Sequence, residues 1–231
     1  MSCKIGLRHS IGFILLILLV EGCASRHRAS PKIQTIAPAT RYTLAGYSVL
    51  SPNESGWIVV EKNDSHIVFG KQSYLVPDTR AALVADIPFS RVFKDPVKFL
   101  EFVKEGQIKG SDPKRFRILT HEEVLDNRYG PFCVKHYMKV EDHGINGIDG
   151  ANSSLSAFVI LEAYGYTFLT SHLPGRLVTL GYSERYPLRT ESEITPAESL
   201  PDRAPNHVGN IFISSWKEIP IPRSKPTETE K

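Results

Sequence analysis

The chain has 231 residues, 41% of them apolar, and a formal charge of +3. So balanced a charge gives no footing for nucleic acid, and three cysteines are too few for a disulfide-stapled scaffold. Stability has to come from a hydrophobic core, and a body of about 170 residues is large enough to bury one as a single domain.

The first element is an apolar run of ten residues, Ile11 to Val20, preceded by Lys4 and Arg8 and followed by Gly22 and Cys23. That is well short of the roughly 20 residues a membrane-spanning helix needs. A basic start, a short apolar core and a small residue at the end make up the pattern of a secretory signal. The tetrad Val20-Glu21-Gly22-Cys23 resembles the lipobox of bacterial lipoproteins, although Glu21 stands where that family usually carries a small or uncharged residue. The resemblance implies cleavage between Gly22 and Cys23, lipid attached to Cys23, and a mature chain held on a membrane facing the periplasm. Ala24 and Ser25 follow the cysteine, and the absence of aspartate there resembles sorting to an outer rather than an inner membrane. Residues 1–22 are therefore expected as the signal peptide. Their loss removes two basic residues and one acidic residue, so the mature charge falls to +2. Cys133 is then the one cysteine without lipid, and it has no disulfide partner within the chain.

Residues 23–41 mix Arg, Ser, Pro and Ala without an apolar period and read as a tether. Residues 42–219 form the expected globular domain, and the proline-broken, charged residues 220–231 read as a disordered tail. Within the domain, "GWIVVEKNDSHIVFGKQ" has two β-branched runs joined by Asn63 and Asp64, a hairpin signal. "TRAALVADIPF" continues as a strand, with Arg80, Ala82 and Val84 on one face and Ala81, Leu83 and Ala85 on the other. The period then changes. Asp95 is placed to cap a helix, Pro96 to begin it, and Val97, Leu100 and Val103 recur at helical spacing, with Gly106 or Gly110 as the stop. Strands resume in "KRFRIL", "FCVKHYMKVED", "LSAFVILEAYGYTFLTS" and "RLVTLGYSERY". After a proline-rich loop from Pro187 to Asn206, the spacing of Val208, Ile211, Phe212, Ser215, Trp216 and Ile219 favours a short closing helix over a strand, although Ile211 and Ile213 also fit alternation. The expected class is α+β, an antiparallel sheet covered on one side by helices.

That order of elements, with the phrases "DPVKFLEFVKEG", "GPFCVKHYMKVEDHG" and "LVTLGYSERY", resembles the PsbP-like α/β/α sandwiches found in several envelope lipoproteins. The resemblance spans about Gly46 to Ile219 and implies an antiparallel sheet flanked by helices, in a group whose members are mostly non-catalytic accessory or assembly proteins. It carries no functional residue across.

Sites have to be sought residue by residue. Asp142 to Ser153 has the outline of a calcium loop, but Gly144 and Ser153 stand where ligands are needed, so a glycine-rich hairpin loop is the better reading and no metal is expected. His121-Glu122-Glu123 lacks the second histidine of a helical zinc motif and reads as the opening of a surface segment. Cys133 and His136 lie three apart on a strand, so their side chains point to opposite faces and do not form a local pair. Ser171 and His172 have the same defect, and Ser183 has no evident base. Tyr129, Phe132, Tyr137, Tyr164, Tyr166 and Tyr182 read as core and sheet-face aromatics. Between Arg91 and Arg117, eight basic residues face four acids. Of these, Lys98, Lys104, Lys109, Lys114, Arg115 and Arg117, together with Arg91 and Lys94, make a candidate docking surface for an acidic partner or for anionic envelope polymers, although a solvated helix face is the better explanation.

The functional expectation is a non-enzymatic, membrane-anchored envelope lipoprotein, monomeric, without cofactor or nucleic acid, which binds or helps assemble another envelope component. The alternatives are an envelope hydrolase with a dispersed site and a small-ligand-binding module.

Overall fold

The computed structural model describes residues 35–72, 79–143, 158–170, 174–187 and 206–219. In chain order these contain β1 (Arg41–Leu44), β2 (Tyr47–Leu50), β3 (Ile58–Lys62), β4 (His66–Gln72), β5 (Thr79–Pro88) and α1 (Pro96–Gly110). There follow β6 (Phe116–Leu125), β7 (Cys133–Asp142), β8 (Val159–Leu169), β9 (Arg176–Pro187), α2 (His207–Ser214) and the two-residue β10 (Lys217–Glu218).

Two meanders build the main sheet. The first, β3-β4-β5, turns where expected: the Asn63 side-chain oxygen accepts from the Ser65 and His66 N–H groups at 2.8 and 2.9 Å, fixing the hairpin. The second runs β6-β7-β8-β9. Antiparallel pairing of β5 with β9 joins them into one seven-stranded sheet of order β3-β4-β5-β9-β8-β7-β6. Both outermost strands carry a register shift, at Val59/Glu61 in β3 and at Ile118/Thr120 in β6. Such irregularities blunt an exposed edge against pairing with another chain.

A second, three-stranded sheet of order β1-β2-β10 draws the two ends of the domain together. Leu44, Tyr47 and Val49 from it join Phe212 and Ile213 of α2 in one core with Ile67, Phe69, Ala82, Val84, Cys133, Phe168, Val178, Leu180 and Tyr182 of the main sheet. Phe69 meets Tyr42 and Phe212 in edge-on contacts at 5.2 and 5.9 Å. The other face of the sheet carries α1, whose Phe99 and Val103 pack with Val134 and Leu177 beside Phe89, Phe93, Phe102 and Phe132. Because Cys133 and Val134, and likewise Leu177 and Val178, are consecutive strand residues, the two cores lie on opposite faces.

The class is α+β on an antiparallel sheet, and β5 divides its side chains as the alternation requires. Four details differ from the sequence expectation. The helices do not share one side of the sheet: α2 lies on the face of the small sheet, α1 on the reverse. Asp95 does cap α1, accepting from the Val97 N–H at 2.9 Å, and the helix runs to Gly110. Its buried stripe, however, is Phe99, Val103, Gly106 and Gln107, while Val97 is half exposed, because the aromatic platform draws the large rings inward. The closing helix is short as expected but ends sooner than the spacing implied: Asn206 caps it through a 2.9 Å bond from the Gly209 N–H, and Trp216 and Ile219 follow it. Finally, β6 continues through His121-Glu122-Glu123 to Leu125, so these three residues sit inside a strand and not at the start of a surface segment.

Candidate functional site

Gly22 and Cys23 lie outside the described residues, as do Ser171, His172 and the calcium-like stretch from Gly144 to Ser153. Asp142, which precedes them and would open the calcium-like loop, is committed to arginines instead.

The basic residues expected as one docking surface do not share a face. Lys98, Lys104, Lys109 and Lys114 are exposed, but Lys98 pairs with Glu101 at 2.8 Å and Lys109 with Glu105 at 3.2 Å along the helix. Arg91 lies over the Phe93 and Phe102 rings at 4.8 and 5.3 Å. Arg115 turns under the sheet to Asp142, whereas Arg117 lies on the opposite face and holds Glu141. Arg115 precedes β6, and the carboxylates the two arginines hold, Asp142 and Glu141, are consecutive on β7 and so point to opposite faces, which no spacing rule applied to a sequence of unknown register reveals.

Arginine–carboxylate forks are the recurrent polar device. Arg176 grips the buried Asp86 through Nε at 2.8 Å and Nη2 at 3.0 Å. Arg115 grips Asp142, whose side chain is fully buried, through Nε at 2.8 Å and Nη2 at 3.1 Å. Arg117 presents the same two nitrogens to Glu141. In each the planar Nε/Nη2 edge of the guanidinium matches both carboxylate oxygens, a bidentate geometry about twice as strong as a neutral hydrogen bond. Arg185 of β9 is different. Its Nε stands 3.1 Å from Asp142 Oδ2, close but off axis, and neither Nε nor Nη2 has an aligned hydrogen-bond partner although both are buried. Burial pulls the Arg185 pKa below its ordinary value; Asp142 works against that shift and Arg115 with it.

Two further clusters use buried ionisable groups. Beneath the C-terminal half of α1, His121 Nε2 approaches Gln107 Oε1 at 3.0 Å and also contacts Glu123. Glu123 stands directly opposite His136 across β6 and β7, and its oxygens have no aligned hydrogen bond. His136 fits because Gly165 leaves room for it: a methyl group there would overlap the imidazole and the Leu180 carbonyl. Burial, and secondarily the neighbouring His121, push the His136 pKa down to about 3, so the ring is neutral. On the opposite face, Glu162 takes bonds from Tyr186 at 2.7 Å, Tyr164 at 2.9 Å and Lys139 at 3.1 Å. Burial raises its pKa, but these three partners outweigh burial and hold the carboxyl below its usual range.

Cys133 is buried in the main core, on the face opposite His136 as alternation requires. Burial pushes its thiol up to about 12, so it is not a thiolate at neutral pH. Ser183 is buried on β9. Among the described residues no group of His, Cys, Asp and Glu is arranged to hold a metal ion, and no described helix is long and apolar enough to cross a membrane. Of the aromatics expected in the core and on sheet faces, Tyr137, Tyr166 and Tyr182 are buried, while Tyr129, Phe132 and Tyr164 are partly buried; Tyr129 stacks on Phe168 at 4.4 Å, and Tyr137 meets Tyr164 at 4.9 Å. Neither family models nor curated proteins match this sequence.

Proposed function

We propose that this chain is a lipid-anchored envelope protein, acylated on Cys23, whose folded body serves a binding or assembly role at the membrane surface and performs no catalysis. The observation that carries the anchoring is the tetrad Val20-Glu21-Gly22-Cys23 at the end of a ten-residue apolar run with Lys4 and Arg8 ahead of it. Each methylene of an attached chain contributes about 0.8 kcal/mol of membrane binding, and several chains together make the attachment permanent. Ala24 and Ser25 after the cysteine favour the outer membrane over the inner where the cell has both.

A PsbP-like three-layer arrangement is supported by one helix on each face of a central antiparallel sheet. A non-catalytic role is supported by the chemistry of the best nucleophile candidate, since the Cys133 thiol is buried and its pKa is driven up to about 12. The interrupted edges of β3 and β6 favour a monomer that meets its partner through a face and not through strand addition. The small-ligand alternative draws on one observation only, the unmatched edge of Arg185.

Metabolic labelling with a fatty-acid analogue tests the anchor. The wild-type chain is expected to take up label and to partition with membranes, and Cys23→Ser to do neither. Label retained by Cys23→Ser overturns the assignment.

A further inference from the structure

The chain crosses from β5 to α1 through "FSRVFKD", residues 89–95. The base of this crossing is fixed. The Phe89 N–H donates to the Gly175 carbonyl at 2.7 Å, the Phe89, Phe93 and Phe102 rings lie 5.2 to 6.1 Å apart, and Asp95 caps the helix. On that base Val92 stands 82% exposed and Val97, in the first turn of α1, 50% exposed. They are the two most exposed large apolar side chains among the described residues, and they flank one helix cap. A lone exposed valine is ordinary; two at one tip, raised on a fixed aromatic base, make an apolar point that the chain leaves to its surroundings.

Cations border the tip. Arg91, Lys94 and Lys98 are exposed, and the one acid among them, Asp95, has an oxygen on the Val97 N–H. Lys98 shares its charge with Glu101. Arg91 lies over the Phe93 and Phe102 rings, and neither it nor Lys94 meets a carboxylate among the described residues. These three are the part of the basic stretch gathered at the start of α1. Apolar side chains that enter beneath lipid headgroups, with long cationic stems reaching to the phosphates, are the make-up of an interfacial contact. A protein partner is a poorer fit, because a stable interface takes about 800 Å² from each side and a single loop tip offers far less.

We propose that the tip formed by residues 89–97 docks on an anionic lipid surface, with Val92 and Val97 entering the headgroup region and Arg91 and Lys94 meeting phosphate. The inference rests on the anchoring of Cys23 proposed above, which brings the body to a membrane. The residues between Cys23 and the described body, which begins at 35, span at most about 40 Å. That length lets the body turn different sides to the surface, so side-chain chemistry selects which side it turns.

The test is tryptophan fluorescence of full-length Val92→Trp and Ile108→Trp, each reconstituted into phosphatidylcholine vesicles with or without phosphatidylglycerol. Brominated acyl chains serve as quencher and wild type as background. Ile108 is 47% exposed and lies about 16 Å further along α1 than Val97. With phosphatidylglycerol, Val92→Trp is expected to emit further to the blue and to be quenched, and Ile108→Trp to do neither. Each cation at an anionic surface favours contact about fivefold, so adding Lys94→Glu to Val92→Trp should cut the docked-to-free ratio by about tenfold or more. Should Val92→Trp not fold, Val97→Trp carries the same expectation. An unquenched Val92→Trp, equal quenching without phosphatidylglycerol, or equal quenching of Ile108→Trp overturns the proposal. Fatty-acid label scored on the same preparations keeps the two readings apart. Labelled chain with unquenched Val92→Trp refutes the docking alone, and unlabelled chain with quenched Val92→Trp refutes the anchor alone.

Discussion

Acidification from pH 6.5 to 5 is expected to destabilise the fold mainly through His136. The ring is buried between β6 and β8, faces Glu123 and His121, and has a folded pKa of about 3 against an ordinary value of 6.5. Below pH 6.5 the unfolded chain takes up a proton that the folded chain refuses, so stability falls with falling pH and this contribution is exhausted near pH 3. Where only the unfolded state binds the proton the slope approaches about 1.4 kcal/mol per pH unit, which gives a loss of about 1 to 2 kcal/mol over this interval. That is a measurable fraction of a typical domain stability of about 5–15 kcal/mol. Glu54, Glu141 and Glu162 all have folded pKa values lowered from 4.5 and contribute mainly below this interval, and the remaining histidines are common to wild type and variant, so comparison with a His136 variant isolates the group. Urea midpoints taken every half pH unit give the slope, compared between wild type and His136→Asn. The variant should be less stable at pH 7 but flatter from 6.5 to 5. An unchanged slope in His136→Asn, or a flat wild-type profile, refutes the argument.

Gly165→Ala should fold poorly or not at all, since its new methyl group overlaps a backbone carbonyl as well as the His136 ring; a melting temperature within a few degrees of wild type would contradict the tight approach. Cys133→Ser places a hydroxyl in an apolar core and should cost about 1–3 kcal/mol, read from chemical denaturation. The binding role proposed above should survive, and a thiol reagent should modify wild-type Cys133 only on unfolding. Removing Val208 to Ile219 strips Phe212, Ile213 and β10 from the larger core, so a chain ending at residue 207 is expected to aggregate where one ending at 219 unfolds cooperatively; equal melting of the two would show that α2 contributes little.

Local features were legible because local chemistry sets them. Asn63 and Asp64 announce the first hairpin, Asp95 and Pro96 the start of α1, and the alternation of Ala81 to Ala85 the two faces of β5. The misread parts depend on distant residues. His121-Glu122-Glu123 looks like a solvated opening until β7 is paired beside it, when two of the three prove to face a helix and a second histidine. Val97 has the right spacing for a buried stripe, but the large rings of Phe99 and Phe102 outcompete it for the platform. Nothing in "SERYP" distinguishes Arg185 from any other charged strand residue. Its character comes from the pairing of β6 with β7, which brings Arg115 to Asp142 first, and from that of β5 with β9. The basic stretch around α1 could be counted but not oriented, and orientation decides whether charges add.

The seam between β5 and β9 also bears on how the chain comes into being. Asp86 and Arg176, which lock the seam, are 90 residues apart. A ribosome delivers β3-β4-β5 long before β9 exists, so the first meander waits with the β5 edge open and its donors and acceptors unanswered. Closing so long a loop is slow, and an open strand edge is a template for the wrong strand. Nascent chains halted between β5 and β9 are therefore the species most in need of a holding chaperone, and release of that chaperone should coincide with the emergence of Arg176 to Pro187.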